Sequence, residues 1–270
     1  QTLQLAKAVL SSAELELIKN SLGDKQLVLS STPEKLYIKS ARESDMIKSL
    51  VKRSGDKIPA SLIVDIWRKI ISFANCSEQK ISIALHNPGK IADFKHILRL
   101  YYNDMIPISS HDTVSGVVMD LESRKSQIAI FSLPKGKNDE VSKDWWINLA
   151  NNTSKIKVFA KIPMIGGSTE YDLLALAIKD AEKSSSDSSL LCIEVFDETS
   201  ENQLNGDLSN SFENFKILKS AKTDKINNKC FYLVEVREFL NEEDQKLKTL
   251  ESSESKPYIK ILGVYPNQIS

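Results

Sequence analysis

The chain has 270 residues and a mass of 30.3 kDa, a size at which a polypeptide commonly divides into two domains. Its 41% of apolar and 27% of charged residues are typical of a globular protein and exclude a wholly disordered polymer. The 36 basic residues balance the 36 acidic ones, so no net charge attracts nucleic acid or an anionic membrane surface. No apolar run approaches the ~20 residues that a membrane span requires.

The chain contains three cysteines that are far apart in sequence: Cys76, Cys192 and Cys230. Their odd number and wide spacing predict reduced thiols in a cytoplasmic protein. The first residues lack the basic segment and apolar run of a signal peptide. Because the chain does not begin with Met, we expect a leading segment to be missing. The three histidines, His86, His96 and His111, are not spaced like metal ligands, and no metal site is predicted.

The first 78 residues are predicted to be helical. Apolar residues of the first helix recur at alternating steps of three and four: Leu3, Ala6, Leu10, Ala13 and Leu17. A second helix is predicted over residues 42–53 and a third over residues 59–74, where Pro59 suits a first helical turn. The apolar stripe of the third helix is wide, which favours pairing with a second copy of the chain.

Short strands and helices alternate from residue 79 onwards. The pattern predicts strands over residues 80–85, 105–109 and 127–133, helices over residues 91–102 and 113–124, and further strands over residues 155–162 and 173–178. Such alternation is typical of a small parallel α/β layer. Residues 165–168 and 183–189 are predicted to be flexible joints. Of the two neighbouring rings, Trp145 and Trp146, one is predicted to be buried and the other to lie at a domain contact.

The end of the chain follows the order strand, helix, strand, strand, helix, strand. Strands are predicted over residues 190–196, 215–221, 231–236 and 259–264, and helices over residues 203–214 and 241–250. This order is the ferredoxin-like plan. The sequence therefore predicts a multidomain α+β protein with an all-α helical domain over residues 1–78, an α/β lobe over residues 79–183 and a ferredoxin-like domain over residues 184–270.

Four segments carry a resemblance to a known family. Residues 41–47, Ala-Arg-Glu-Ser-Asp-Met-Ile, and residues 58–71 are similar to the second and third helices of the all-helical chorismate mutase domain. Residues 258–266, Tyr-Ile-Lys-Ile-Leu-Gly-Val-Tyr-Pro, resemble the last strand of the amino-acid-sensing ACT domain of prephenate dehydratases, and residues 189–193 resemble its first strand. The chain thus resembles the bifunctional chorismate mutase–prephenate dehydratase family, and more narrowly its α-proteobacterial chorismate mutase type. The resemblance implies a mutase-like domain, a degenerate dehydratase-like lobe and an ACT-like domain.

The activity that this resemblance implies is that of an isomerase, which rearranges chorismate to prephenate in phenylalanine and tyrosine biosynthesis. The pericyclic reaction needs cations that hold two carboxylates and a donor to the breaking ether oxygen, and it needs no cofactor. The resemblance implies that Arg42 binds a carboxylate, that Glu43 contacts the ring hydroxyl and that Glu78 faces the ether oxygen. Lys39 or Lys25 would supply a further cation.

Two departures from the family pattern leave alternatives open. The family has two arginines in its first helix, whereas residues 1–41 contain none, so Lys7, Lys19 and Lys25 are the candidates to bind substrate there. Residues 171–174, Tyr-Asp-Leu-Leu, lack the Thr and Arg of the dehydratase motif. The resemblance therefore implies a chorismate mutase first, and the alternatives are a non-catalytic regulatory or ligand-binding protein on the same scaffold and a bifunctional mutase–dehydratase. The expected partners are a small-molecule substrate, an aromatic amino acid effector and a second copy in a homodimer.

Overall fold

The computed structural model describes residues 36, 38–90, 93–134, 144–151, 155–196, 201–222 and 229–269. The predicted first helix and the candidate residues Lys7, Lys19 and Lys25 lie outside the described residues. No helix in the described ranges combines the length and the hydropathy that crossing a bilayer requires.

Two helices open the described part of the chain, as the sequence predicts. Helix α1 spans Ser40–Ser54 and helix α2 spans Ala60–Glu78, with a single 3-10 turn, Gly55–Lys57, between them. Gly55 has a φ of 53°, a conformation that glycine adopts without side-chain clash, and it ends α1. Each helix buries one face that mixes apolar and polar residues, and through these faces the two helices pack together and on the rest of the molecule.

The remaining elements alternate along the chain. The strands are β1 Ile83–His86, β2 Ile108–His111, β3 Ile128–Ser132, β4 Ile156–Ile162, β5 Leu173–Ile178, β6 Asp187–Phe196, β7 Phe215–Lys222, β8 Lys229–Val236 and β9 Tyr258–Pro266. The helices are α3 Phe94–Tyr101, α4 Val114–Glu122, α5 Trp145–Asn151, α6 Glu201–Ser211 and α7 Gln245–Glu251. Polar caps start three of these helices: Asp93, Thr113 and Asp244 each accept a hydrogen bond from a backbone N–H of the first turn.

The nine strands form one mixed sheet in the order β2-β1-β3-β5-β4-β9-β6-β8-β7. Strand β1 runs parallel to β2 and β3, as predicted for a parallel α/β layer. Strand β5 instead runs antiparallel to both β3 and β4. For the β4–β5 pair the reason is that residues 163–172 connect the two strands without a helix, and a parallel pair would need a longer crossover connection.

The second half of the sheet, β9-β6-β8-β7, has the strand pairing that the ferredoxin-like plan predicts. Strand β6 pairs antiparallel with β8 and β9, and β7 pairs antiparallel with β8. Strand β9 also pairs in parallel with β4 at Val158 and Gly263. The hydrogen-bonded sheet therefore runs without interruption across the predicted boundary at residues 183 and 184, and the domain limits themselves stay a prediction.

Helix α5 covers the sheet where its two halves meet. Trp145 and Trp146 are both fully buried, in a core shared by β3, β6 and β9. The Trp145 ring stacks on Phe131 with ring centroids 4.8 Å apart, and its Nε1 donates to the Ser132 carbonyl at 3.0 Å. Both rings are therefore buried, and they lie in a core to which both halves of the sheet contribute, which agrees with the expected contact between the two halves.

Both predicted flexible joints are held by hydrogen bonds. The Gly166 N–H donates to the Ile269 carbonyl at 2.9 Å, and the Ile269 N–H donates to the Met164 carbonyl at 2.8 Å. In the second joint, the Ser185 N–H and hydroxyl donate to the Asp45 carboxylate of α1 at 3.1 and 2.6 Å. The serine-rich composition suggested flexibility, but partners distant in sequence fix these backbones.

Buried polar groups join the helix pair to the sheet and to the segment that follows α3. Lys179, at the end of β5, donates to the Ile38 carbonyl at 2.6 Å just before α1. Burial lowers the pKa of Lys179, although Glu182 beside it opposes this. The backbone N–H of Asn103 donates to the Ser72 hydroxyl of α2 at 2.9 Å. These bonds hold α1 and α2, which contain most of the candidate residues, against the rest of the molecule.

Candidate functional site

The two neighbouring candidates, Arg42 and Glu43, face different surroundings. Arg42 is exposed, whereas the side chain of Glu43 is only 11% exposed. Consecutive residues point about 100° apart around a helix, so the first turn of α1 presents one to solvent and the other to α2. The Glu43 carboxylate accepts from the Arg68 guanidinium at 3.0 Å and from the Asn75 amide at 3.0 Å. Glu43 is therefore a structural acceptor between α1 and α2.

Arg68 is a central residue of this region that the sequence analysis did not select. Its side chain is 3% exposed, and its guanidinium carbon lies 3.6 Å from the centroid of the Tyr101 ring. Burial alone would lower the pKa of Arg68, but the electrostatic influence of Tyr101 and Glu43 raises it above its ordinary value. The signal in the sequence was an arginine beside Trp67 on the apolar stripe of α2, a position where a charge needs a buried partner.

The other two candidates, Lys39 and Glu78, are both exposed. The bond between Glu43 and Asn75 places the end of α2 beside the start of α1, since the helices run in opposite directions. Glu78 lies one turn beyond Asn75, so Lys39, Arg42 and Glu78 collect at one end of the helix pair. Of the predicted residues within the described ranges, Lys39, Arg42 and Glu78 lie exposed at one end of the helix pair, and Glu43 is largely shielded between the two helices.

A small cavity lies between this helix pair and the sheet. Ser40, Ser44 and Arg68 line it from α1 and α2, and Lys161 and Gln268 line it from the sheet side. The cavity has a volume of about 20 Å³, which is room for one or two water molecules. Pockets that hold organic ligands usually enclose about 300–1,000 Å³, so chorismate does not fit without movement of the lining residues.

The positive charges at the cavity are already neutralised. Among its lining residues, Arg68 and Lys161 carry positive charge. Arg68 is paired with Glu43, and the Lys161 ammonium lies 3.4 Å from Glu235 and 3.5 Å from Asp172. Three carboxylates thus surround two cations, and this arrangement does not attract a dicarboxylate.

A polar network around Lys161 joins the ends of four strands. The Tyr265 hydroxyl of β9 donates to the Glu235 carboxylate of β8 at 2.5 Å. Burial raises the pKa of Tyr265 well above its ordinary value, and Glu235 raises it further. The Gln268 amide donates to Asp172 at 3.1 Å. Asp172 belongs to the segment where the dehydratase motif would fall. Its carboxylate contacts Lys161 and Gln268, and in these contacts it acts as a structural residue.

A second polar cluster lies at the carboxyl ends of the parallel strands. His111 ends β2, and its Nε2 lies 2.8 Å from the Asp120 carboxylate of α4, which the Lys125 ammonium also approaches to 3.2 Å. Strand β1 lies between β2 and β3, and ligands of α/β sheets tend to bind where neighbouring connections diverge in this way. The pairing of His111 with Asp120 was not predicted from the sequence, because nine residues and a change from strand to helix separate the two side chains.

The Asp120 carboxylate is expected to give the protein a specific loss of stability in acid. Burial opposes its ionisation, but hydrogen bonds from Lys125 and His111 outweigh burial and lower the pKa of Asp120. The unfolded chain therefore binds this proton more tightly, with a pKa of ~3.9. The contribution of Asp120 to the free energy of unfolding is complete above this unfolded-state pKa. It is lost as the pH falls through the lower pKa of Asp120 in the folded state.

Urea denaturation at a series of pH values between about 3 and 6 tests this expectation. The free energy of unfolding should fall more steeply towards acid pH in the unmodified protein than in the Asp120→Asn variant. The unmodified protein and the variant share every other carboxylate, so the difference between their slopes reports on Asp120. Identical slopes would show that Asp120 gains nothing from His111 and Lys125.

The described residues contain no group of three or more His, Cys, Asp or Glu side chains that could hold a metal ion. The three thiols that were predicted to be reduced, those of Cys76, Cys192 and Cys230, form no disulfide. Burial raises the pKa of the Cys192 thiol to about 12, so this thiol is not a nucleophile at neutral pH.

Comparison with known proteins gives structural likeness only. No protein-family model matches the sequence, and no curated protein matches it. A prephenate dehydratase from Streptococcus mutans aligns with 70% of this chain and 100% of its own, at 18% identity and a TM-score of 0.48. A prephenate dehydratase from Arthrobacter aurescens, solved in complex with L-Phe, aligns with 69% of this chain and 90% of its own, at 7% identity and a TM-score of 0.49. GqqA, described as a novel type of quorum quenching acylase, aligns with 69% of this chain and 95% of its own, at 12% identity and a TM-score of 0.49. At TM-scores below 0.5 and identities of 18% or less, this likeness assigns the chain neither a fold family nor a reaction.

Proposed function

We propose that this chain is a non-catalytic ligand-binding or regulatory protein built on a scaffold related to the chorismate mutase–prephenate dehydratase family. The observation that supports this most directly is the pairing of Glu43 with Arg68 and Asn75. A mutase needs free cations around a dicarboxylate, but both cations at the cavity are paired with carboxylates of the same chain. The lack of arginine in residues 1–41 supports the same proposal.

The ligands that follow from the family resemblance are small carboxylates and aromatic amino acids. Titration calorimetry with chorismate, prephenate, phenylalanine and tyrosine tests binding directly. In parallel, the ultraviolet absorbance of chorismate reports turnover. We expect at least one of the four compounds to bind and chorismate to disappear no faster than it does spontaneously at micromolar protein. Absence of all binding would contradict the proposal, and so would turnover.

Chorismate mutase activity is the second candidate function. The collection of Lys39, Arg42 and Glu78 with Glu43 at one end of the helix pair favours it, since these are the residues that the resemblance assigns to the substrate. On this candidate the Arg42→Ala variant would lose turnover, because Arg42 would hold a substrate carboxylate. On the regulatory proposal the same variant would keep effector binding at the ferredoxin-like half. Formation of phenylpyruvate from prephenate would instead indicate the bifunctional mutase–dehydratase.

A cytoplasmic homodimer is part of this proposal. The wide apolar stripe of the third predicted helix, now observed as α2, supports the dimer.

A further inference from the structure

The residues that follow β9 form one wall of the cavity between the helix pair and the sheet. Residues 267–269, Asn-Gln-Ile, come directly after the strand, and we name them the strap. Asn267 and Gln268 of the strap line the cavity, to which the helix pair contributes Ser44 and Arg68. The small size of the cavity therefore depends on the strap staying in place.

Hydrogen bonds, and not apolar packing, hold the strap. The Asn267 N–H donates to the Ser186 carbonyl at 2.9 Å, its side-chain amide donates to the Ser186 hydroxyl at 2.8 Å, and Ile269 makes the two backbone bonds given above. Tyr265 of β9 is fully buried, whereas the strap residues are half-buried and the two core clusters described around the sheet do not include them. A segment with few buried apolar contacts opens locally at a small part of the global free energy of unfolding. The strap can therefore open while the core stays folded.

The side chain of Gln268 fills a site that suits a nitrogen with at least two N–H bonds. Its Nε2 donates to the Pro163 carbonyl at 2.8 Å and to the Asp172 carboxylate at 3.1 Å. Two acceptors thus converge on one nitrogen, and both become available when the strap leaves. A primary ammonium group has three N–H donors, so it can take the place of the amide.

The charges beside this site favour a cation. Three carboxylates face two cations across the cavity and the network next to it: Glu43, Asp172 and Glu235 against Arg68 and Lys161. An unbalanced carboxylate in a partly buried site attracts a cation and repels an anion. Among the described residues, the Arg68 Nε has no hydrogen-bond partner, so the cavity also offers a donor to an oxygen of the same ligand.

We propose that the strap shuts this cavity, and that its release opens a binding site for a small molecule that carries a primary ammonium group. The ammonium replaces the Gln268 amide nitrogen between Asp172 and the Pro163 carbonyl. The inference rests on the proposed function, because it gives the ligand of that function a place to bind. Its test measures the reactivity of a thiol and not ligand binding, so it can fail while a ligand binds elsewhere, and failure of every ligand to bind leaves the opening measurable.

A thiol placed in the cavity tests the opening of the strap. Ser44 is 8% exposed, so Ser44→Cys should react slowly with 2-aminoethyl methanethiosulfonate in the full chain. Deletion of residues 267–270 should speed this reaction by about tenfold or more, because the reagent no longer waits for local opening. Peptide mass mapping separates the new thiol from the native cysteines, and the exposed control Ser209→Cys should react equally fast with and without the strap. Equal rates at Ser44→Cys with and without the strap overturn the proposal.

A disulfide that locks the strap keeps the proposal testable if the deletion variant does not fold. A Cβ added at Gly166 would lie 3.7 Å from the Gln268 Cβ, within the ~3.5–4.5 Å range of disulfides. Once oxidised, the pair Gly166→Cys and Gln268→Cys should slow the modification of Ser44→Cys by about tenfold or more. A locked chain that reacts as fast as the chain with Ser44→Cys alone contradicts an opening strap.

Two reagents of similar size and opposite charge test the preference for ammonium. The 2-aminoethyl reagent ends in a primary ammonium, and 2-sulfonatoethyl methanethiosulfonate ends in an anion. In the full chain, the ratio of their rates at Ser44→Cys should exceed the ratio at Ser209→Cys by about threefold or more, because both reagents wait for the same opening and differ in charge. Asp172→Asn should remove most of this preference, since carboxylates and cations would then be equal in number. The same ratio at both thiols would rule out an ammonium site.

Discussion

Replacing Gly263 by alanine is expected to lower the free energy of unfolding by about 3 kcal/mol or more, or to prevent folding. Gly263 lies in β9 where that strand pairs with Val158 of β4. A Cβ at this position would lie 2.7 Å from the Val158 Cα and closer still to other backbone atoms of Val158. A backbone clash cannot be relieved by a rotamer change, so the two strands would have to separate.

Urea denaturation followed by circular dichroism measures this loss. The matched control is Gly206→Ala in α6, where no atom lies within 4 Å of the added Cβ. Alanine has the higher helix propensity, so the control should be neutral or stabilising by up to about 1 kcal/mol. A Gly263→Ala variant as stable as the control would show that β4 and β9 do not approach each other in this way.

Substituting Glu43→Ala is expected to destabilise the protein by about 3–5 kcal/mol. The substitution leaves the guanidinium of Arg68, which is 3% exposed, buried without its carboxylate partner. A buried unpaired charge costs far more than the pair itself contributes, because the remaining charge has lost its hydration. Thermal and urea denaturation would both report the loss.

The adjacent residue supplies the control. Arg42 is exposed, and Arg42→Ala should change the free energy of unfolding by no more than about 0.5 kcal/mol. A double substitution, Glu43→Ala with Arg68→Met, should recover part of the loss because it removes the buried charge as well. Equal stabilities of Glu43→Ala and Arg42→Ala would mean that Glu43 is not the partner of Arg68. Glu43 would then again be a candidate to bind a ligand.

The secondary structure was largely predictable because its signals are local. The steps of three and four residues gave α2, the alternation of strands and helices gave β1, β2 and β3, and the final βαββαβ order gave the ferredoxin-like half. Polar residues before α3, α4 and α7 mark the beginnings of these helices in the sequence. Local hydrogen bonding and amphipathic periodicity decide these features, and both are visible in a single sequence.

The positions of the candidate side chains were not predictable in the same way. Glu43 meets Arg68, 25 residues away, and Asp45 meets Ser185, 140 residues away. Such contacts depend on how α1 crosses α2 and on where the connection to β6 passes, and no local pattern records either. The serine-rich connection was predicted to be flexible on composition alone, but a carboxylate from α1 holds it.

The parallel contact of β4 with β9 makes the described sheet mechanically continuous. Proteins with two lobes commonly admit and release small molecules when the lobes swing about a loose hinge. Here a swing between β4 and β9 would have to break the strand contact at Val158 and Gly263 and disturb the tryptophan-filled core beneath it. We therefore expect the two halves to move together, so that the ligand of the proposed function enters between side chains and connecting segments around the sheet.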